Sequence, residues 1–138
     1  MVNGDVELGV GVGKGGIVNV RISGDLVPDS MPKFAEWTNK VKKVIKDQFG
    51  KTNEKVLCLV DITDLKRYAP EAMVQLASLM KDNEPYVLRT ATFGGNSYTI
   101  MAEDVVIALS GRNNLKAFKT EDEALEWLRE GDTKAFKT

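Results

Sequence analysis

The chain contains no histidine. That removes imidazole general bases, serine–histidine and cysteine–histidine nucleophile pairs, and every histidine-ligated metal. Cysteine occurs once, at Cys58, so neither an internal disulfide nor a zinc knuckle can form. An excess of one charge sign is also missing: 19 Lys and Arg stand against 20 Asp and Glu, a net charge of -1. Such a chain has no global field to hold nucleic acid or an anionic membrane. The apolar run Val56 to Val60 is far too short to cross a bilayer. The opening residues Met1-Val2-Asn3-Gly4-Asp5 lack the basic and apolar regions of a signal peptide. These absences predict a cytoplasmic protein with no stable membrane insertion, no nucleic-acid partner and no metal. What is present, 138 residues with 43% hydrophobic and 28% charged, is the mix of one globular domain.

Val6, Leu8, Val10 and Val12 alternate with Asp5, Glu7, Gly9 and Gly11, which reads as a strand with one wet face. After Gly13-Lys14-Gly15-Gly16, Val18, Val20 and Ile22 alternate again, so the pair predicts an antiparallel hairpin. Gly24 to Ser30 reads as a loop. Asp29 or Ser30 then caps a helix with Pro32 in its first turn and Phe34, Trp37, Val41, Val44, Ile45 and Phe49 on one face, stopped by Gly50. Its outer face carries Lys40, Lys42, Lys43 and Lys46, a solvated face or a meeting point for an acidic partner.

Val56 to Val60 has the continuous apolar character of a strand covered on both sides. Pro70 opens a second helix with Ala72, Met73, Leu76, Leu79 and Met80 inward. Val87 to Phe93 is a strand, and a third helix places Tyr98, Met101, Ala102, Val105 and Leu109 inward. Leu115 to Phe118 is a short strand, and Thr120 with Glu123 forms a capping box for the last helix, which ends at Gly131. Trp127 is expected to close the core edge. The order β-β-α-β-α-β-α-β-α predicts an α/β fold, a single domain with a mixed, mostly parallel sheet, an N-terminal antiparallel hairpin and about four packed helices. The domain spans residues 1–131. Residues 132–138, where Lys-Ala-Phe-Lys-Thr recurs, are expected to form a frayed tail.

Few segments carry chemistry. Gly11 to Gly16 spells G-x-G-x-x-G, but a strand follows where a nucleotide site needs a helix. Cys58 lies between Leu57 and Leu59 in an apolar strand and reads as a buried structural thiol. Asp61 and Asp64 offer two carboxylates beyond a buried strand, but Asp and Thr in such a turn commonly bond the loop backbone instead. Gly94-Gly95-Asn96-Ser97 joins a strand to a helix N-terminus, which either caps the helix or receives an anion.

Several of these segments resemble the STAS superfamily, and in particular its SpoIIAA-like branch. The likeness is carried by Val60-Asp61-Ile62-Thr63-Asp64-Leu65 followed by Tyr68-Ala69-Pro70-Glu71-Ala72, by Pro85-Tyr86-Val87, by Ala91-Thr92-Phe93-Gly94, by Ser110-Gly111-Arg112, and by the run from Phe118 to Leu128. It covers the chain from roughly residue 5 to residue 130. The resemblance implies a STAS/SpoIIAA-like domain acting as a non-enzymatic interaction or regulatory module without a cofactor. In the anti-sigma factor antagonists of the superfamily, a serine at the start of the second helix is phosphorylated by a partner kinase. Here that position falls near Ala69-Pro70-Glu71, which has no hydroxyl. The alternative is a binding protein for a small lipid-like or anionic ligand. Either reading places the working surface at the carboxyl edge of the sheet: Thr63, Lys66, Arg67 and Tyr68 in one loop, Gly94, Gly95, Asn96, Ser97 and Tyr98 in the other. A protein partner, a small apolar or anionic ligand and a homodimer are the associations expected.

Overall fold

The structure is a computed structural model. It describes residues 6–111 and 114–131, with residues 97–100 and 131 described by backbone alone. The frayed tail expected over residues 132–138 therefore lies outside the described residues. Strand β1 (Val6–Val12) and strand β2 (Val18–Leu26) form the hairpin, pairing antiparallel through a 3-10 turn at Lys14–Gly16. Gly15 and Gly16 take φ of 70° and 77° there, a conformation that disfavours any side chain. Helix α1 (Met31–Thr52), strand β3 (Val56–Asp61) and strand β4 (Leu65–Tyr68) follow. Helix α2 (Pro70–Asp82), strand β5 (Val87–Phe93), helix α3 (Ser97–Ser110), strand β6 (Leu115–Phe118) and helix α4 (Glu121–Gly131) complete the described chain.

The sheet runs β1-β2-β3-β5-β6, with every pair parallel except the hairpin. This is the mixed, mostly parallel α/β architecture that the element order predicts. Two differences come from one cause. β2 does not stop at Ser23, and the segment after β3 is not wholly loop. Leu65–Tyr68 forms β4 and pairs with Gly24–Leu26, so β2 carries β3 along its first half and β4 along its second. Helix α1 also runs past Gly50 and ends on Asn53, whose left-handed backbone (φ 61°) presents its N–H to the Phe49 carbonyl at 2.7 Å. Ser30 sits at the cap position, but its hydroxyl donates to the Asp25 carbonyl at 2.8 Å, not to the helix, although a serine hydroxyl in that position could accept from the first turn.

Helices α1, α2 and α3 cover one face of the sheet, where Phe34, Trp37, Val41 and Ile45 meet Val18, Val20, Ile22, Cys58 and Val60. Helix α4 alone covers the other, over β3, β5 and β6. Ala124 and Leu128 there meet Leu59 and Ala91. Glu123 N–H donates to Thr120 Oγ1 at 3.2 Å, the first half of the expected capping box. Trp127 is half-buried at the rim, 5.7 Å from the Phe118 ring, with the Arg89 guanidinium 4.4 Å from its centroid.

Helix α3 is the clearest correction. The spacing predicts Met101, Val105 and Leu109 inward, yet they are 68%, 47% and 55% exposed. Ala102 is buried as its spacing predicts, but the rest of the buried set is Glu103, Val106 and Ser110, so the buried face lies about one position, or roughly 100°, round from the predicted one. Apolar residues lie on nearly every side of this helix, so spacing alone leaves its rotation open. The lysine face of α1 is largely committed within the chain. Lys42 pairs with Asp82 at 2.9 Å, Lys43 with Asp47 at 3.2 Å, and the Lys46 amine lies 5.6 Å from the Tyr86 ring centroid.

Candidate functional site

The two loops expected to work together do meet. Ile62 N–H donates to the Phe93 carbonyl at 3.0 Å, which joins the turn after β3 to the end of β5. Gly94 then packs directly on Thr63. A Cβ at Gly94 would lie 2.8 Å from Thr63 Cα, and Gly94 has φ 88°. Both constraints demand glycine. Gly94→Ala is expected to cost about 2 kcal/mol, read as a lower denaturant midpoint at unchanged slope. An unchanged midpoint would show that the Thr63 turn moves aside freely.

The side chains divide differently from expectation. Thr63, Lys66, Arg67 and Asn96 are exposed, and Gly95 is half-buried with φ 87°. Arg67 Nε lies 4.0 Å from Asp25 Oδ2. Tyr68 is not a contact residue of a loop: it ends β4, is 1% exposed, and faces the core. The side chains of Ser97 and Tyr98 lie outside the described residues. Asp61 Oδ1 accepts from Thr63 N–H at 2.9 Å, and Asp64 Oδ2 pairs with Arg21 at 2.6 Å. Each carboxylate therefore braces the turn, as Asp commonly does. Among the described residues no cluster of three or more Cys, Asp or Glu is arranged to hold a metal ion.

Sequence reasoning missed Glu103. This carboxyl is fully buried under α3, where it accepts from the Thr92 hydroxyl at 3.0 Å and the Tyr68 hydroxyl at 3.3 Å. Burial raises its pKa to about 7; the Thr92 and Tyr68 hydrogen bonds hold it down, and the charge of Asp104 pushes it up. Burial, and then the nearby Glu103 charge, push the Tyr68 phenol well above its ordinary value. A glutamate flanked by Ala102 and followed by Val105 and Val106 was the available signal, but it reads as the solvent side of the helix until α3 is docked.

Turning Glu103 inward turns apolar side chains outward. Met101, Val105 and Leu109 follow one another at four-residue spacing along the outside of α3, and Val74 of the neighbouring α2 is 60% exposed. Four of the five large exposed hydrophobic residues described thus belong to α2 and α3. Isolated exposed apolar residues are ordinary, whereas a contiguous patch marks an interaction surface. In the core under α1 and α2 the apolar space is small. Cys58 is buried, as expected, and borders a cavity of about 30 Å³ between α1, α2 and the sheet. Asn83 Oδ1 lies at its wall without a hydrogen-bond partner, and the space suits about one water molecule.

A mixed sheet in this order, with three helices on one face and one on the other, is the architecture of a STAS-like α/β domain. Residues 17–129 match the family model described as SpoIIAA-like, and the chain belongs to that family. Its fold is similar to a crystal structure described as an uncharacterized protein from the DUF3478 family with a SpoIIAA-like fold, from Shewanella loihica PV-4. The two are 18% identical over 89% of this chain and 93% of that one, with a TM-score of 0.59. No curated protein matches the chain. No helix among the described residues is long and apolar enough to cross a membrane. The SpoIIAA-like fold is, in general terms, that of a regulatory or binding module.

Proposed function

We propose that this chain is a non-enzymatic interaction module that docks a protein partner on the outer face of α3 and the adjoining part of α2. The observation that carries the proposal is the outward stripe Met101, Val105 and Leu109 on α3, with Val74 exposed on the adjoining α2. Family membership supports a binding role. The start of α2 supports a mode of action without the phosphoserine switch, because Ala69 caps the helix and Pro70 opens it. Lys66 and Arg67 are exposed on β4, and the α3 stripe rather than this pair carries the proposal. A lipid-like ligand finds no support in a core cavity of about 30 Å³.

The test is capture of the endogenous partner on immobilised protein, compared between Met101→Asp/Leu109→Asp and Lys66→Ala/Arg67→Ala. Burying one Leu-sized side chain contributes about 1.5–3 kcal/mol, so a charge on the stripe should weaken the complex more than about tenfold. The exposed stripe variants are expected to melt like the parent chain. Retained binding in the stripe variant, with loss in the edge variant, would return the site to the carboxyl edge.

A further inference from the structure

The face of the sheet that α4 covers is only half covered. Across it, β1, β2, β3, β5 and β6 set one residue each in register: Gly9, Arg21, Asp61, Phe93 and Phe118. The next row begins Gly11, Asn19 and Leu59. Helix α4 stands over the β3, β5 and β6 end of these rows, and none of the described helices covers the β1–β2 end. The step between them is an open groove of about 340 Å³, with Gly9 and Gly11 as a shelf, Phe93 as a wall and Glu121 of α4 at the rim. That volume lies in the range of small-molecule sites.

Nothing among the described residues requires glycine at these two positions. Neither takes a positive φ. A Cβ at Gly9 would come no nearer than 3.9 Å to Arg21 Cβ, and one at Gly11 would meet nothing within 4 Å. Glycine weakens a strand, and where no backbone conformation or packing requires it, close approach of something outside the sheet is the remaining use. The charges around the shelf are unequal. Arg21 is neutralised by Asp64 at 2.6 Å. Asp61 and Glu121 have no ion-pair partner among the described residues, and only one oxygen of Asp61 is engaged, by the Thr63 N–H. The flat shelf at Gly9 and Gly11, the Phe93 wall, the second oxygen of Asp61 and the carboxylate of Glu121 together suit one kind of ligand, while Arg21 and Asn19 also line the groove.

We infer that the groove beside α4 binds a small organic cation with a flat apolar body, which lies on Gly9 and Gly11 against Phe93 and points its charge at Asp61 and Glu121. Charge complementarity selects the cation, and the ring face of Phe93 adds to it. This site is on the opposite face from α3 and does not depend on the docking surface there.

Benzamidinium, benzyl alcohol and benzoate are flat probes that differ mainly in charge. Titrated into 15N-labelled protein, benzamidinium is expected to shift the amide signals of Gly9, Gly11, Leu59 and Asp61, and to bind about tenfold or more tighter than benzyl alcohol. Benzoate is expected to leave those signals in place. Asp61→Asn keeps an oxygen for the Thr63 N–H and should weaken benzamidinium about tenfold. Gly11→Val fills the shelf with a strand-forming residue, so it should abolish benzamidinium binding while raising Tm by about 2–4 °C. Equal binding of the three probes, silence of the groove signals at 10-mM benzamidinium (about the ceiling for so small a ligand), or retained binding in Gly11→Val each overturns the inference. So does a lowered Tm or loss of fold in Gly11→Val, which would make the glycine structural.

Discussion

Trp37→Ala is expected to lower the unfolding free energy by about 3–5 kcal/mol, the usual cost of truncating a buried aromatic ring. Trp37 packs in the second turn of α1 with its ring 5.3 Å from that of Phe34. It also borders the small cavity beside Cys58, so truncation enlarges a space that already exists instead of letting neighbours close in. Its indole Nε1–H donates to the Gly9 carbonyl at 3.2 Å and fastens the helix to the outer strand of the sheet. Trp37→Phe separates the two contributions: it keeps most of the ring and loses the hydrogen bond, and should cost about 1 kcal/mol more than the lost ring area explains. Guanidinium denaturation monitored by circular dichroism measures both. A loss below about 1 kcal/mol for Trp37→Ala would mean that α1 repacks on the sheet without this residue.

Stability is expected to fall as pH rises from 5 to 8, and Glu103 is the group responsible. Its pKa is about 7 in the folded chain against 4.5 for an ordinary glutamate. Between those values the unfolded chain has released the proton and the folded chain still holds it. The folded state then binds more protons, so stability decreases with rising pH. The contribution is fully present below pH 4.5, declines towards pH 7 and is absent above it; its size is about 3 kcal/mol. Glu103→Gln removes the titration; its amide oxygen accepts from one of the two hydroxyls and its NH2 donates to the other, so the variant should show a flatter profile and exceed the parent chain at pH 8. Tyr68→Phe should move the midpoint of the parent profile upward, because the Tyr68 hydrogen bond favours the charged carboxylate. Parallel profiles for the parent chain and Glu103→Gln would show that Glu103 titrates as it does in the unfolded chain.

Local contrast decided what could be read from the residues alone. In β1 and β2, apolar and polar positions alternate so regularly that period and pairing follow at once. Helix α1 has one apolar face and one lysine-rich face, and its buried residues are those its spacing names. Thr120 and Glu123 announce α4 through a bond that spans three residues. The turns at Thr63 and Gly94 meet as their place at the carboxyl edge predicts, but a tyrosine beside Lys66 and Arg67 reads as a contact residue, whereas Tyr68 faces the core.

The amino-acid sequence by itself thus determined the order of elements apart from β4, the antiparallel start, the parallel remainder and the family. Only the tertiary structure decided the strand state of Leu65–Tyr68, the rotation of α3 and the bare shelf at Gly9 and Gly11. The reason is the same in each case. Four residues with Leu65 and Tyr68 at the ends and two cations between have no strand period, and become a strand because Gly24–Leu26 offers them an edge. A helix apolar on most sides has no preferred rotation until a buried partner, here Tyr68 and Thr92 bonding Glu103, selects one. A glycine in a strand looks the same whether a neighbour requires it or nothing does, and that difference exists only once the chain has closed around it.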